Sequence, residues 1–240
     1  MTFELSIMFD SIPALLIGAR LTVLITLAGI TGGMIFGVLW GLGRLAGTKY
    51  LGQAPHGISQ SICAAIRYFS GGCVETLRGT PIIVQAMFIY FALPMMIRMF
   101  LELERFRIDA LTAAIITIII NAGAYIAEIV RGSVISVHKG LLEAGMSLGI
   151  SRYQLIRYII GPIALRRMIP PLGNQFIISL KDTSLFIVIG VGELTRQGQE
   201  IMASNFRAIE IWLAVAIMYL IMTTVIARVL RYFENRMQIF

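Results

Sequence analysis

The chain has 240 residues, of which 58% are hydrophobic and 14% charged, and its formal net charge is +7. A soluble domain carries about 25% charged and about 45–50% apolar residues, so this composition excludes an ordinary globular domain and points to several membrane spans. The basic residues sit between the apolar runs, which fits positive-inside topology better than nucleic-acid binding, and the runs lack the alternation of a membrane barrel.

In chain order, the start "MTFELSIMFD" has no basic segment ahead of an apolar one. It reads as an uncleaved start, with the first helix anchoring the chain. Five spans are predicted: residues 12–42, 81–101, 108–130, 163–191 and 209–229. The fourth is interrupted by "PPLGNQ" and "KDTS". Residues 57–76 are mixed in character and read as an amphipathic helix at the cytosolic interface, with a sixth span as the alternative. Gly29, Gly33, Gly37 and Gly41 place a glycine every four residues in span one. Such a stripe lets a second backbone approach closely. Packing on a neighbouring helix is preferred to a contact between subunits. Cys63 and Cys73 lack a metal-site or disulfide pattern. His56 and His138 are isolated and read as solvated.

Orientation follows from counting basic residues. With the N-terminus outside, the inner segments hold Arg44, Lys49, Arg67, Arg78, Arg131, Lys139, Arg152, Arg157, Arg166, Arg167, Arg228, Arg231 and Arg236. The outer segments hold Arg98, Arg105, Arg107, Arg196 and Arg207, and Arg20 and Lys181 lie near or within spans. Thirteen against five favours N-terminus outside and C-terminus inside.

The largest inner loop then falls between spans three and four. Leu141, Leu142, Gly145, Met146 and Gly149 recur at helical spacing and predict a short amphipathic helix. Gly149 suits a left-handed stop, and "SRYQ" from Ser151 to Gln154 is a capping-box pattern opening a second helix that Pro162 ends. Two short helices held off the membrane serve equally as a plain connector or as a docking surface for a partner protein.

Polar residues inside a bilayer usually face a cavity or another helix. Asn121, Tyr125 and Glu128 share one face of span three. Gln85 is early in span two, and Lys181 and Asp182 fall in the interrupted span four beside Thr183 and Ser184. Hydrogen bonds between helices explain such residues as readily as a transport path. No GxxxxGK[ST] phosphate loop occurs, and no clustered carboxylates or histidines support an intramembrane enzyme.

The loop resembles the Glu-Ala-Ala coupling loop of bacterial ATP-binding-cassette importer permeases. Glu143, Ala144, Gly149, Ile159 and Pro162 stand in register, with Gly145 replacing an alanine and Gly161 a leucine. The stretches "TLRGTPIIVQAMFIYFALP", "NAGAYIAEIVRG" and "LRRMIPPLGNQFIISLKDTSLFIVIGVGELTRQGQEI" resemble the polar amino-acid, glutamine-permease-like branch. The likeness is dense from residue 75 onward and loose over span one, and residues 52–72 depart from it.

The resemblance implies an all-α membrane protein with the type I importer permease fold. It would have about five transmembrane helices, and residues 1–240 would form one transmembrane domain with a coupling loop at about 139–162. It implies a transport subunit of the bacterial inner membrane, not an enzyme, that moves a polar amino acid, glutamine first. The alternative is an ATP-independent secondary transporter or channel. Implied partners are separate ATPase subunits carrying ATP and magnesium, a second permease subunit, an extracytoplasmic amino-acid-binding protein and membrane lipid. No cofactor belongs to this chain and no nucleic acid is involved. Glu143, Ala144, Gly145 and Gly149 would meet the ATPase. Glu75, Arg78, Gln85, Asn121, Tyr125 and Asp182 would line the substrate path. A zwitterion needs a carboxylate for its ammonium, which Asp182 offers, and a cation or helix N-terminus for its carboxylate, which Arg78 offers. Asn121 offers donor and acceptor to an amide. Arg78 has a plainer reading too, as a boundary cation ahead of Gly79 and Pro81.

Overall fold

A computed structural model of the chain describes residues 3–48, 50 and 58–237, and every element it contains is helical. The helices are α1 (Leu5–Gly43), α2 (Ile58–Gly79), α3 (Ile82–Leu101), α4 (Ala110–Ile135), α5 (Lys139–Ser147), α6 (Arg152–Ile189), α7 (Leu194–Asn205) and α8 (Ala208–Met237). Five of them, α1, α3, α4, α6 and α8, are long and apolar enough to cross a membrane. The five expected spans are therefore present, with moved ends. Helix α1 starts seven residues before the predicted 12 and has 39 residues, roughly 58 Å at 1.5 Å each, well beyond the roughly 30 Å hydrocarbon core. Helix α2 is a single 22-residue helix and is not among the five apolar ones. Lys49 and His56, read above as an inner cation and a solvated imidazole, lie outside the described residues, as does most of the departing segment's first half.

The chain forms two compact units. The first comprises residues 1–31, 80–119 and 176–229, and the second comprises 32–79, 120–175 and 230–240. Within the first unit, Leu15 and Ala19 of α1, Leu194 of α7 and Ala214 and Val215 of α8 form a buried cluster. Gly18 lies against the backbone of Leu194, where a Cβ would come within 2.8 Å of its Cα. Leu213, Ile217, Leu220, Ile221 and Val225 of α8 are exposed, the inverse of a soluble helix and the arrangement that lipid requires.

Within the second unit, α1 and α4 pack closely. A Cβ on Gly41 would fall 2.8 Å from the Ala127 carbonyl, and one on Gly37 equally close to the Gly123 carbonyl. Gly123 in turn faces the Gly33 carbonyl. In the first unit Gly29 of the same stripe abuts Ile118. The glycines thus serve helix packing within the chain, as expected.

Two proline positions show how local rules are met. Pro94 and Pro162 each follow a π-helical turn, Phe88–Ala92 and Ile156–Ile160. Proline donates no hydrogen bond and its ring meets the carbonyl four residues back, and a wider turn removes that conflict. The expected end of the second loop helix at Pro162 is therefore corrected: the helix continues as α6. The expected interruption at "PPLGNQ" is corrected as well, because Gly161–Asp182 is one α-helix with Pro170 and Pro171 inside it. At "KDTS" the interruption is real, since the α-helix yields to a 3-10 turn over Thr183–Ile189 that ends on Gly190 at φ 80°.

Candidate functional site

The inner loop is built from its base upward, wholly within the second unit. Two carbonyls at the end of α4 are taken up from outside the helix. The Tyr50 hydroxyl donates to the Ile135 carbonyl at 3.0 Å, and the Arg167 guanidinium donates to the Ser136 carbonyl and hydroxyl. His138 opens α5, its Nδ1 accepting from the Gly140 N–H at 3.1 Å, so this histidine is a helix cap. Gly149 closes α5 in the left-handed conformation, φ 72°, with the Ile150 N–H on the Gly145 carbonyl. Ser151 then opens α6 through the expected capping box: its hydroxyl faces the Gln154 N–H and the Gln154 side chain accepts from the Ser151 N–H at 3.1 Å.

The two departures from the family pattern have physical reasons. Gly145 is buried against Leu155, and an alanine there would displace that side chain. Gly161 sits 2.8 Å, at its would-be Cβ, from the Ile156 carbonyl that the π turn turns toward it, so a leucine does not fit.

The amphipathic assignment changes in detail. Leu142 and Gly145 face inward, beside Leu155 and Ile160. Leu141 and Met146, expected on the same face, are exposed together with Glu143, Ala144 and Leu148. Leu148 is 79% exposed. Leu142 and Gly145 are the buried residues of α5, which leaves an apolar patch with one carboxylate on the outside.

A second feature of this unit is a charge cluster. The Glu128 carboxylate lies 2.9 Å from the Arg44 guanidinium and 4.0 Å from that of Arg78, and it pairs with Arg131 one turn on. Glu75 reaches Arg44 at 3.3 Å. The Arg78 guanidinium also stands 5.1 Å over the Tyr125 ring. The cluster ties the ends of α1 and α2 to α4. Glu75, Arg78 and Tyr125 are thus brought together, with Glu128 pairing the Arg44 that holds Glu75 and the Arg78 that covers Tyr125. Asn121 lies on the same helix, buried to 6% exposure.

Gln85 and Asp182 belong to the first unit. Gln85 is buried and its Nε2 donates to the Thr80 hydroxyl at 2.7 Å. Asp182 ends the α-helical part of α6, half-buried and in no ion pair among the described residues. Helix α3 packs along the 3-10 turn that follows it.

Sequence reading missed a buried polar group in this unit. Glu193 is fully buried and caps α7 by accepting from the Arg196 N–H at 3.0 Å. The Tyr219 hydroxyl of α8 donates to it at 2.8 Å, and Thr22 of α1 approaches it at 3.5 Å while accepting from the Leu194 N–H at 3.3 Å. Burial pushes the Glu193 carboxyl above its ordinary value, against the opposing pull of its hydrogen bonds. Only the "E-L-T-R" N-cap spacing hinted at this role, since its other partners are distant in sequence.

Five helices apolar enough to cross a membrane, a capped helical hairpin that turns an apolar face outward, and polar side chains within the spans fit one class, a multi-pass membrane permease. The comparisons place it. The sequence profile of the binding-protein-dependent transport system inner membrane component matches residues 57–239, and the chain belongs to that family. It is 54% identical over 239 residues, the whole of both chains, to the glutamine transport system permease protein GlnP of Escherichia coli (strain K12). It is 36% identical to the probable amino-acid permease protein YxeN of Bacillus subtilis (strain 168), covering 98% of this chain and 96% of that one. Among solved structures, that of an amino acid ABC transporter with histidines superposes with a TM-score of 0.83 at 30% identity, covering 98% of this chain and all of the other.

Proposed function

We propose that this permease carries glutamine inward across the bacterial cytoplasmic membrane, powered by separate ATPase subunits that hold the ATP and magnesium. The observation that carries the reading is the outward face of α5: Leu141, Glu143, Ala144, Met146 and Leu148 are exposed on a helix rigidly capped at both ends. An apolar patch held in fixed geometry, with a carboxylate in it, suits a groove on a partner protein. A secondary transporter has no use for it. The glutamine assignment rests on the 54% identity to the Escherichia coli glutamine permease.

In this reading the N-terminus is outside, and an extracytoplasmic binding protein delivers the amino acid. A second permease subunit completes the pathway. ATP closes the ATPase pair, and the coupling helices move with it. Asp182, whose carboxylate has no ion-pair partner among the described residues, meets the substrate ammonium. Gln85 of the same unit supplies an amide hydrogen bond. In the second unit Asn121 and Arg78, the latter steadied by Glu128 and Tyr125, line the substrate path.

The test is ATP hydrolysis by the chain reconstituted in lipid with the organism's ATPase and glutamine-loaded binding protein. Glutamine is expected to stimulate hydrolysis, and Glu143→Arg is expected to abolish the stimulation by at least tenfold. In the same vesicles Asp182→Asn is expected to stop uptake while the ATPase stays bound. Labelled glutamine crossing without any ATPase would turn the reading to a secondary transporter.

A further inference from the structure

The first unit carries an arginine arrangement that the transport reading leaves unexplained. Of the five arginines assigned to the end opposite the coupling loop, two are neutralised. Arg207 pairs with Glu4 at 2.6 Å and Glu210 at 3.4 Å, and Arg196 pairs with Glu200 at 2.7 Å. The other three, Arg98, Arg105 and Arg107, line one cavity of about 660 Å³ with Glu104 and Phe106. None of the three forms an ion pair among the described residues. The Nε of Arg98 is buried and has no hydrogen-bond partner among the described residues.

Carboxylates are close in sequence but do not answer them. Asp109 is committed to the start of α4, its two oxygens accepting from the Thr112 N–H at 3.0 Å and the Thr112 hydroxyl at 2.6 Å. Those hydrogen bonds hold its carboxyl below the usual range. Glu102 is turned outward in the left-handed conformation, φ 50°, and is exposed. The lining therefore carries a net +2, three guanidiniums against Glu104. Met99, Phe100, Leu101 and Leu103 beside it are 43–72% exposed. Arginine, methionine and aromatic side chains together are the composition enriched in protein interfaces. Concentrating unpaired cations at this end also runs against the positive-inside bias that the rest of the chain obeys, so topology does not account for them.

We propose that this cavity is the seat for acidic side chains of the extracytoplasmic binding protein. The inference rests on the importer reading above and adds the place and chemistry of docking. Each guanidinium is a fork matched to a carboxylate, and three of them with no ion-pair partner among the described residues form an electrostatic complement to an acidic patch.

The experiment uses the complete transporter in nanodiscs, titrated with the organism's glutamine-loaded binding protein while ATP hydrolysis is followed. The double substitution Arg105→Glu and Arg107→Glu is expected to raise the half-maximal binding-protein concentration by about tenfold or more. Arg105→Gln with Arg107→Gln is expected to shift it the same way by less, and guards against a folding defect. Raising the salt from about 0.05 M to about 0.5 M weakens docking of the unaltered protein and has little further effect on the charge-reversed one. Arg196→Glu, at the same end but outside the cavity, leaves the half-maximal concentration unchanged. An unchanged concentration and salt slope in both double variants overturns the proposal. A shift that vanishes in nanodiscs of phosphatidylcholine alone also overturns it, and assigns the arginines to anionic lipid headgroups. An unaltered transporter that no binding protein stimulates overturns the importer reading itself, and is recognisable because it needs no variant.

Discussion

Glu193 shows what a single residue contributes here. A fully buried carboxylate is costly unless hydrogen-bonded, and this one caps α7, receives Tyr219 and stands beside Thr22. It thereby joins α1, α7 and α8. Its carboxyl is held above the ordinary value of 4.5, so the folded protein binds more protons than the unfolded chain as pH climbs past that value. Stability then falls with rising pH from about 4.5 upward, until the folded carboxyl has ionised. Glu193→Gln, which never ionises, removes that slope. The difference in melting temperature, variant minus parent, is expected to rise with pH above about 4.5 and to level off below it. Melting the purified protein in detergent across that range checks this. Residue-level chemistry was partly legible in advance: Ser151, Gln154 and Gly149 act locally, so their spacing announced them. Glu193 was not legible, because Thr22 and Tyr219 come from far along the chain.

At the scale of elements, the helices hold together through small residues and local adjustments. Where hydrophobic contrast with the surroundings is absent, close backbone approach and its dispersion contacts hold helices together. Gly37 and Gly41 give α1 that approach to α4, and the Glu128 cluster secures the ends. Gly37→Leu forces the helices apart and is expected to lower the yield of folded protein several-fold. Substituting Leu39, exposed to 66% on the same helix, by alanine is expected to change little. Monodisperse protein recovered by gel filtration is the measure. The rule that proline ends a helix misled the reading of α6. Pro162 is accommodated by the π turn ahead of it, and Pro170 and Pro171 sit within a continuous helix. Such accommodations depend on the neighbours of the helix, which one segment's residues do not reveal.

For the whole molecule, the orientation proposed above is testable by labelling from either side of the membrane. Glu4 at the N-terminal end pairs with Arg207 ahead of α8, so these two ends lie together in the first unit. Loop 102–109 and the coupling loop flank α4, whose 26 residues span roughly 39 Å. In the orientation proposed above, loop 102–109 is outside and the coupling loop inside. With Cys63 and Cys73 replaced by serine, a cysteine at Glu104 is expected to react in intact cells with a membrane-impermeant maleimide. A cysteine at Ser147 is expected to react only after the cells are opened. The reverse pattern would invert the assigned topology and remove the binding-protein seat.

By itself, the sequence determined that the chain is a five-span helical membrane protein with a capped loop at one end. Those properties are local: runs of about 20 apolar residues, a glycine repeat every four positions, and a serine three residues ahead of a glutamine. Tertiary structure alone decided which face of α5 is left open, which carboxylates are consumed in ion pairs and which arginines are not. Glu128 and Asp182 look alike in a sequence, as intramembrane acids. Only folding surrounds the first with three guanidiniums and leaves the second without an ion pair, because pairing depends on distances between segments that the chain brings together from far apart.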